Sequence, residues 1–341
     1  MNAVHNSSAL WLTWEHQPRN RSMARRLGVP VYELSYSGPR VQRYAKALTA
    51  TIRLLLRERP KVVFASNPSI VLTCFLLLCR AVFRFRLASD AHYGGVVAVS
   101  ESRLLQRVLD FANRNADLVI VTNPGHASRI RALGGRSAVC PDPLPELAAD
   151  RTVPPALNGV EKSALFVCTF EVDEPYGAVF EAARLLSSSG MTVFVSGSYQ
   201  RAGLYPDAIP QVKLLGFIDR KSYEAYLRHV DVVLDFTTWE DCLVCGAYEA
   251  MAAGQPCVLS RTKALAALFS HGTVFTTHEP SEIARATLNA YEARNSLRSE
   301  IPCWVSNHER AIDAHVASIR SELGLGDNQE AHGCVSVSSA T

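Results

Sequence analysis

The chain has no hydrophobic run long enough to span a bilayer. Its longest, SIVLTCFLLLC at 69–79, stops at about half of the ~20 apolar residues that a spanning helix requires. No charged-then-apolar leader pattern opens the sequence. A cytoplasmic location is therefore expected, with at most peripheral attachment at the inner face of the cell membrane. Aromatic and basic residues do not interleave as they do where bases stack, so nucleic acid is not an expected partner. Of the nine cysteines, Cys74, Cys79, Cys140, Cys168 and Cys257 sit inside apolar runs, the pattern of buried reduced thiols rather than a disulfide framework. Cys242 and Cys245 have metal or redox spacing, but no second pair accompanies them.

What is present is enough for two cores. At 341 residues and 48% hydrophobic content, two domains are expected and wholesale disorder is not. The net charge of +3 hides a division. Residues 1–140 hold 20 Lys and Arg against 7 Asp and Glu, whereas residues 141–341 hold 15 against 25. An asymmetry of this size means that the N-terminal half meets an anion, or that the halves attract each other across a cleft.

Strand and helix patterns alternate along the whole chain. ALWLTW (9–14), VPVYEL (29–34), KVVFAS (61–66), FRLASD (85–90) and ADLVIVT (116–122) read as buried strands, with a long amphipathic helix over 40–60. The segment 141–159 has five prolines and no periodicity. A second series follows, with strands ALFVCTF (164–170), TVFVSGS (192–198), VKLLGF (212–217), DVVLDF (231–236) and PCVLS (256–260) and helices at 175–187, 221–229 and 244–253. The expected fold class is α/β, with two Rossmann-like parallel-sheet domains facing across a cleft. The expected divisions are an N-terminal domain over 1–142, a linker over 143–160, a C-terminal domain over 161–300, a helix over 301–323 returning toward the N-terminal domain, and a disordered tail over 324–341. In such folds ligands sit at the carboxyl ends of the strands.

One stretch carries most of the chemistry. DCLVCGAYEAMAAGQPCVLS begins at Asp241 and, preceded by VKLLGFIDRKSYEAYLRHVDVVLDFTTWE, resembles the C-terminal half of retaining nucleotide-sugar glycosyltransferases of the GT-B fold, group 1 or family 4-like. The likeness covers about 160–275; in the N-terminal half it is one of strand–helix order. Physical chemistry supports the same reading. The helix start offers the amides of Leu243, Val244 and Cys245 to a diphosphate. Asp241 suits the hydroxyls of a donor sugar, and Glu249, two helical turns on, suits vicinal ribose hydroxyls because a carboxylate accepts from both. Helix capping is the plain alternative for these acids. The resemblance has Glu where this chain has Asp241, and Glu240 is the alternative holder of that role.

The resemblance implies further positions. Phe217 and Ile218 in LLGFID match the segment that meets the nucleotide base, with core packing the alternative for Phe217. Gly197 and Ser198 match the glycine turn after the domain's second strand. Where relatives place Arg and Lys, this chain has Glu171, Asp173 and Glu174, so part of the diphosphate's charge compensation is missing. His92, at a strand end, is expected near the reacting sugar, with Asp90 orienting it. Glu15, His16, Arg19, Asn20 and Arg21, in the first strand–helix loop, are read as an acceptor site in which arginine forks grip phosphate; a solvated basic face is the alternative.

The expected activity is transfer of a hexosyl group from a nucleotide-diphosphate sugar to a glycan hydroxyl, with retention, in polysaccharide or glycoconjugate biosynthesis. The leaving phosphate would help to deprotonate the acceptor. No Asp-x-Asp occurs, so no metal is expected, and no cofactor beyond the donor substrate. The basic residues of 19–61 and the apolar 69–83 stretch point to a lipid-linked acceptor at an anionic membrane surface. A nucleotide-sugar epimerase on the same architecture, or a silent nucleotide-sugar-binding protein, are the competing readings.

Overall fold

The computed structural model describes residues 8–67, 69–100, 102–148, 152–206 and 209–326. The chain divides into two compact units, one running to Pro143 and resuming at Arg310, the other Leu144–Glu309.

Unit 1 is built on a parallel sheet of β1 (Ala9–Thr13), β2 (Val31–Glu33), β3 (Val62–Asn67), β4 (Arg86–Ala91), β5 (Leu118–Val121) and β6 (Ser137–Val139), in the order β2-β1-β3-β4-β5-β6. All five residues of β1 are buried, as a strand covered on both faces requires. The order reverses after β2. Right-handed crossovers therefore put α1 (Pro18–Leu27) on one face and α2 (Arg40–Glu58) and α3 (Ile70–Phe83) on the other. The cores follow: Met23 and Leu27 of α1 pack on Trp11 and Phe64, while Leu54 of α2 and Leu72 and Leu76 of α3 pack on Leu10, Leu12 and Val63. The short α4 (Tyr93–Val96), then α5 (Arg103–Asn115) and α6 (Pro124–Ala132), complete the crossovers.

Unit 2 repeats the scheme with β7 (Lys162–Phe166), β8 (Met191–Ser196), β9 (Val212–Gly216), β10 (Val232–Asp235), β11 (Cys257–Ser260) and β12 (Thr273–Thr276), all parallel, ordered β12-β11-β10-β7-β8-β9. Helices α7 (Tyr176–Ser187) and α11 (Pro280–Glu292) cover one face. Helices α8 (Arg220–His229), α9 (Cys245–Ala253) and α10 (Lys263–Leu268) lie on the other, with the first part of α12 (Arg294–Glu322).

Two boundaries differ from the sequence expectation. The described residues of 144–160, a stretch read as linker, belong to unit 2, where Leu144, Leu157 and Val160 join its core. Helix α8 fastens the segment: Glu224 accepts from the Ala148 amide at 2.7 Å, and Arg220 and Arg228 donate to the Glu146 and Ala148 carbonyls. Proline-rich sequence excludes helix here but not docking. The final helix was expected to start near 301. It runs unbroken from Arg294 with Pro302 inside it. A proline within a helix costs about 3 kcal/mol, and burial of Ile301 and Trp304 beside it offsets that cost. Its later residues Ile312, Val316 and Ile319 enter the core of unit 1. The tail expected over 324–341 falls mostly outside the described residues. Its first part, 324–326, opens on a left-handed Gly324 (φ 65°) just past the end of α12.

None of the described cysteines is in a disulfide, and no described helix is long and apolar enough to cross a membrane.

Candidate functional site

The strand order of unit 2 reverses between β7 and β10, and open α/β sheets bind ligands at such a switch point, outside the carboxyl ends of the strands. The loops after these two strands are tied together there. Asp173 accepts from the Thr237 hydroxyl at 2.6 Å, and its carbonyl accepts from the Thr238 amide at 2.8 Å. Glu174 turns back into its own loop, where its carboxylate accepts from the amides of Thr169 (2.9 and 3.0 Å) and Glu171 (2.8 Å) and from the Thr169 hydroxyl. Phe170 holds the left-handed conformation (φ 64°) that aims those amides inward. The acids expected to face a diphosphate uncompensated are thus divided: Asp173 and Glu174 anchor the loop, and Glu171 is exposed.

Helix α9 begins at Cys245 after Val244, whose side chain makes no capping hydrogen bond, and ends on a left-handed Gly254 (φ 72°). Asp235, at the end of β10, lies beneath its first turn and takes a hydrogen bond from the Gly246 amide. A Cβ on Gly246 would stand 2.5 Å from Asp235 Oδ2, so glycine is required for this approach. Burial pushes the Asp235 carboxyl well above the usual range, and the charges of Glu174, Glu249 and Asp173 add to the push. Sequence reading missed Asp235. The available signal was an acid closing an otherwise apolar strand.

Glu249 is half-buried one turn into α9 and accepts from the Tyr223 hydroxyl of α8 at 2.5 Å. Burial raises its pKa, while the Tyr223 hydrogen bond opposes the rise. Asp241 is half-buried in the turn before the helix. Its neighbour Glu240 accepts from the Lys263 amide at 2.8 Å and so is committed to the start of α10.

The loops after β8 and β9 join the same edge. The Gly197 amide donates to the Gly216 carbonyl at 3.0 Å. Gly197 (φ 99°) passes so near the β7 loop that a Cβ would stand 1.9 Å from the Cys168 carbonyl oxygen. Ser198 precedes a short 3-10 turn, Tyr199–Ala202. Phe217 is 88% exposed, which removes the core alternative, whereas Ile218 is partly buried against the core beneath α8 and α9. Unit 2 therefore brings Gly197, Ser198, Phe217, Ile218, Asp241, Leu243, Val244, Cys245 and Glu249 to loops and a helix start along one edge of a single sheet.

In unit 1 the arginine cluster is not what local sequence suggested. Arg19, Asn20 and Arg21 lie in the first turn of α1 rather than in a loop. Arg19 is buried and forks onto Asp90, Nε to Oδ2 at 2.9 Å and Nη2 to Oδ1 at 2.8 Å, while also reaching Asp142 and the Cys140 carbonyl. Asn20 is fully buried, bonded to Trp11 and Thr13. Arg21 meets Glu33 at 2.8 and 2.5 Å, and His16 meets the same carboxylate at 3.0 Å. Hydrogen bonds from Arg21 are the main cause that holds Glu33 below its ordinary pKa. Glu15 is exposed. The acids missing from 19–26 are supplied by Glu33, Asp90 and Asp142, so Arg19 and Arg21 serve as counter-ions.

Burial alone would raise the Asp90 carboxyl, but the charge of Arg19, together with nearby His92 and the Arg19 hydrogen bonds, holds it well below the usual range. His92 follows β4 with Nε2 3.6 Å from Asp90 Oδ2, beyond hydrogen-bonding distance, and that buried nitrogen has no hydrogen-bond partner. Among the described residues no group of three or more His, Cys, Asp or Glu is arranged to hold a metal.

Two parallel α/β units, the second carrying a helix start, acids and an exposed aromatic at its switch edge, define a doubly wound architecture with a candidate ligand edge. Family profiles match both units: a glycosyl transferase 4-like domain over residues 8–141 and glycosyl transferases group 1 over 161–293. The chain belongs to the glycosyltransferases of this two-domain, GT-B type. No curated protein matches it significantly. Solved structures share the fold at low identity. HepE of Anabaena in complex with UDP-glucose is 15% identical over 92% of this chain and 99% of that one, with a TM-score of 0.72. Sucrose-phosphate synthase of Thermosynechococcus elongatus is 16% identical over 93% and 99%, also at 0.72. A putative UDP-N-acetylglucosamine 2-epimerase of Listeria monocytogenes is 12% identical over 94% and 98%, at 0.61.

Proposed function

We propose that this glycosyltransferase moves a hexosyl group from a nucleotide-diphosphate sugar to a hydroxyl of a lipid-diphosphate-linked glycan, with retention and without a metal ion, in polysaccharide or glycoconjugate assembly on the cytoplasmic side of a membrane. The observation that carries the reading is the α9 start: a helix whose N-cap side chain makes no hydrogen bond, standing at the switch edge with Glu249 one turn in. Anions are favoured at such an end by aligned amides and by the helix dipole.

Roles follow from the chemistry. The amides of Leu243, Val244 and Cys245 receive the diphosphate, Asp241 the sugar hydroxyls, and Glu249 the ribose. The commitment of Glu240 to the Lys263 amide favours Asp241 for the first acidic role. Phe217 offers an exposed face for the base, with Ile218 behind it. Asp235 accepts from the Gly246 amide and so supports the first turn of α9 from below. His92, whose Nε2 lies 3.6 Å from the buried Asp90 carboxylate, is assigned to the hydroxyl beside the anomeric carbon. Charge developing on the sugar and on the departing diphosphate is then stabilised by preorganised groups, as transfer with retention requires. Neighbouring structures bound to UDP-glucose favour a nucleotide-sugar donor.

The test is turnover. Nucleotide-diphosphate sugars are incubated with and without lipid-diphosphate-linked acceptors, and products are separated by chromatography. Acceptor-dependent release of the nucleoside diphosphate supports the proposal. The epimerase-like neighbour favours one second reading, and conversion of donor without any acceptor would establish that reading in place of transfer.

A further inference from the structure

Helices α2, α3 and α5 of unit 1 pack in sequence, α3 touching both neighbours. Their inner sides form core, but their outer sides are not those of an ordinary solvated surface. Helix α3 exposes Val71, Leu78 and Val82, spaced seven and four residues apart and therefore in one stripe, and no exposed position on this helix is charged. Leu78 is 74% and Val82 75% accessible. Helix α5 repeats the pattern with Leu104 and Phe111, 72% and 61% accessible and again seven apart. Cations flank these stripes. Arg43, Lys46 and Arg53 are exposed on α2, as are Arg103, Arg107 and Arg114 on α5. No acidic side chain is exposed on the three helices: Glu58 is buried beside Arg57, and the partly buried Asp110 pairs with Arg129.

We propose that this face docks on an anionic lipid bilayer, with the α3 and α5 apolar side chains entering the boundary between headgroups and acyl chains and the α2 and α5 cations meeting lipid phosphates. The proposal takes its purpose from the lipid-linked acceptor reading above and its evidence from this surface. Exposed apolar patches of this kind mark interaction sites. Charge selects the occupant. A second copy of the chain would set like cations against one another across a two-fold axis, whereas an anionic membrane attracts juxtaposed Lys and Arg and accepts an amphipathic helix face lying in its plane. The location narrows the one suggested by sequence, residues 19–61 with the 69–83 stretch. Arg19, Arg21 and Arg26 pair with Asp90, Glu33 and Asp313, so the cations offered to a membrane are those of α2 and α5.

The test is sedimentation of the full chain with vesicles of phosphatidylcholine, with and without phosphatidylglycerol, at low and raised salt. Binding is expected only with phosphatidylglycerol and is expected to fall as salt rises. Arg103→Gln/Arg107→Gln/Arg114→Gln should weaken it by roughly 100-fold, from about 1 kcal/mol for each cation. Leu78→Ser/Phe111→Ser should weaken it by about tenfold or more while leaving the salt dependence. Equal binding to neutral vesicles, unchanged binding by either variant, or self-association of the wild type that Leu78→Ser abolishes would each overturn the proposal. Nucleotide binding is measured beside it. Intact nucleotide binding without vesicle binding sinks the docking face alone, and the reverse sinks the donor site alone.

Discussion

Arg19→Met should destabilise unit 1 far more than any surface arginine change. Asp90 is fully buried, and its two oxygens take their hydrogen bonds from the Arg19 fork, with His92 at 3.6 Å too far to replace it. Removing one partner of a buried pair costs about 3–5 kcal/mol because the remaining charge is uncompensated. The lost bond to the Cys140 carbonyl adds about 1 kcal/mol. The pH dependence has a definite sign. In the wild type the Asp90 pKa is depressed, so its stabilisation is present above the unfolded carboxyl value of about 3.9 and is lost as pH falls through the folded value. In the variant Asp90 is buried without a partner, its pKa rises, and the damage should shrink as the pH is lowered toward about 4. A companion variant, Arg19→Met/Asp90→Leu, removes both charged groups and should recover most of the loss, since an apolar pair of similar size replaces a buried ion pair at little cost. The two units need not unfold together, so the assay is hydrogen exchange at β1 and β4 amides under native conditions. A single-variant loss below about 1 kcal/mol, or a double variant no better than the single, would refute the buried counter-ion account and return Arg19 to the acceptor site.

Two further outcomes follow from unit 2. Asp235 has a raised pKa, so the folded state keeps a proton that the unfolded chain releases above about pH 4, and stability conferred below that value is lost as pH rises. Asp235→Asn should therefore flatten the decline in urea stability as pH rises above about 4 and stabilise the protein at neutral pH; a variant as pH-dependent as the wild type would contradict the assignment. Phe217→Ala should leave stability within about 0.5 kcal/mol because the ring is exposed, yet weaken nucleotide binding about tenfold through lost stacking. Unchanged affinity by calorimetry would remove Phe217 from the base site.

The fold was legible because buried parallel strands leave a strong trace. ALWLT, VVFAS and LVIV stand out as apolar blocks between helical stretches, and the helix expected over 40–60 is Arg40–Glu58. The candidate edge of unit 2 was legible where local geometry sets it, as at the Gly197 turn and at the start of α9. Partnerships over long sequence distances were not. The arginines at 19 and 21 looked like an anion grip because their neutralising acids lie at 33, 90 and 142. The acids of 171–174 looked like bare repulsion because the amides and the threonine that engage them become visible only once the loops close. Proline misled at 143–160, because it reports what a backbone cannot form and says nothing about what side chains beside it bury.

Everything proposed about the reaction rests on α9 as the donor's anchor, and one calorimetric comparison reaches it directly. Nucleoside diphosphates are titrated into the wild type and into Glu249→Ala. One diphosphate should bind the wild type, with affinity reduced by about tenfold or more in the variant, the loss of charged hydrogen bonds to a hydroxyl pair being worth about 1.5–3 kcal/mol. Equal affinity in the two proteins, or no diphosphate bound by either, would contradict the account.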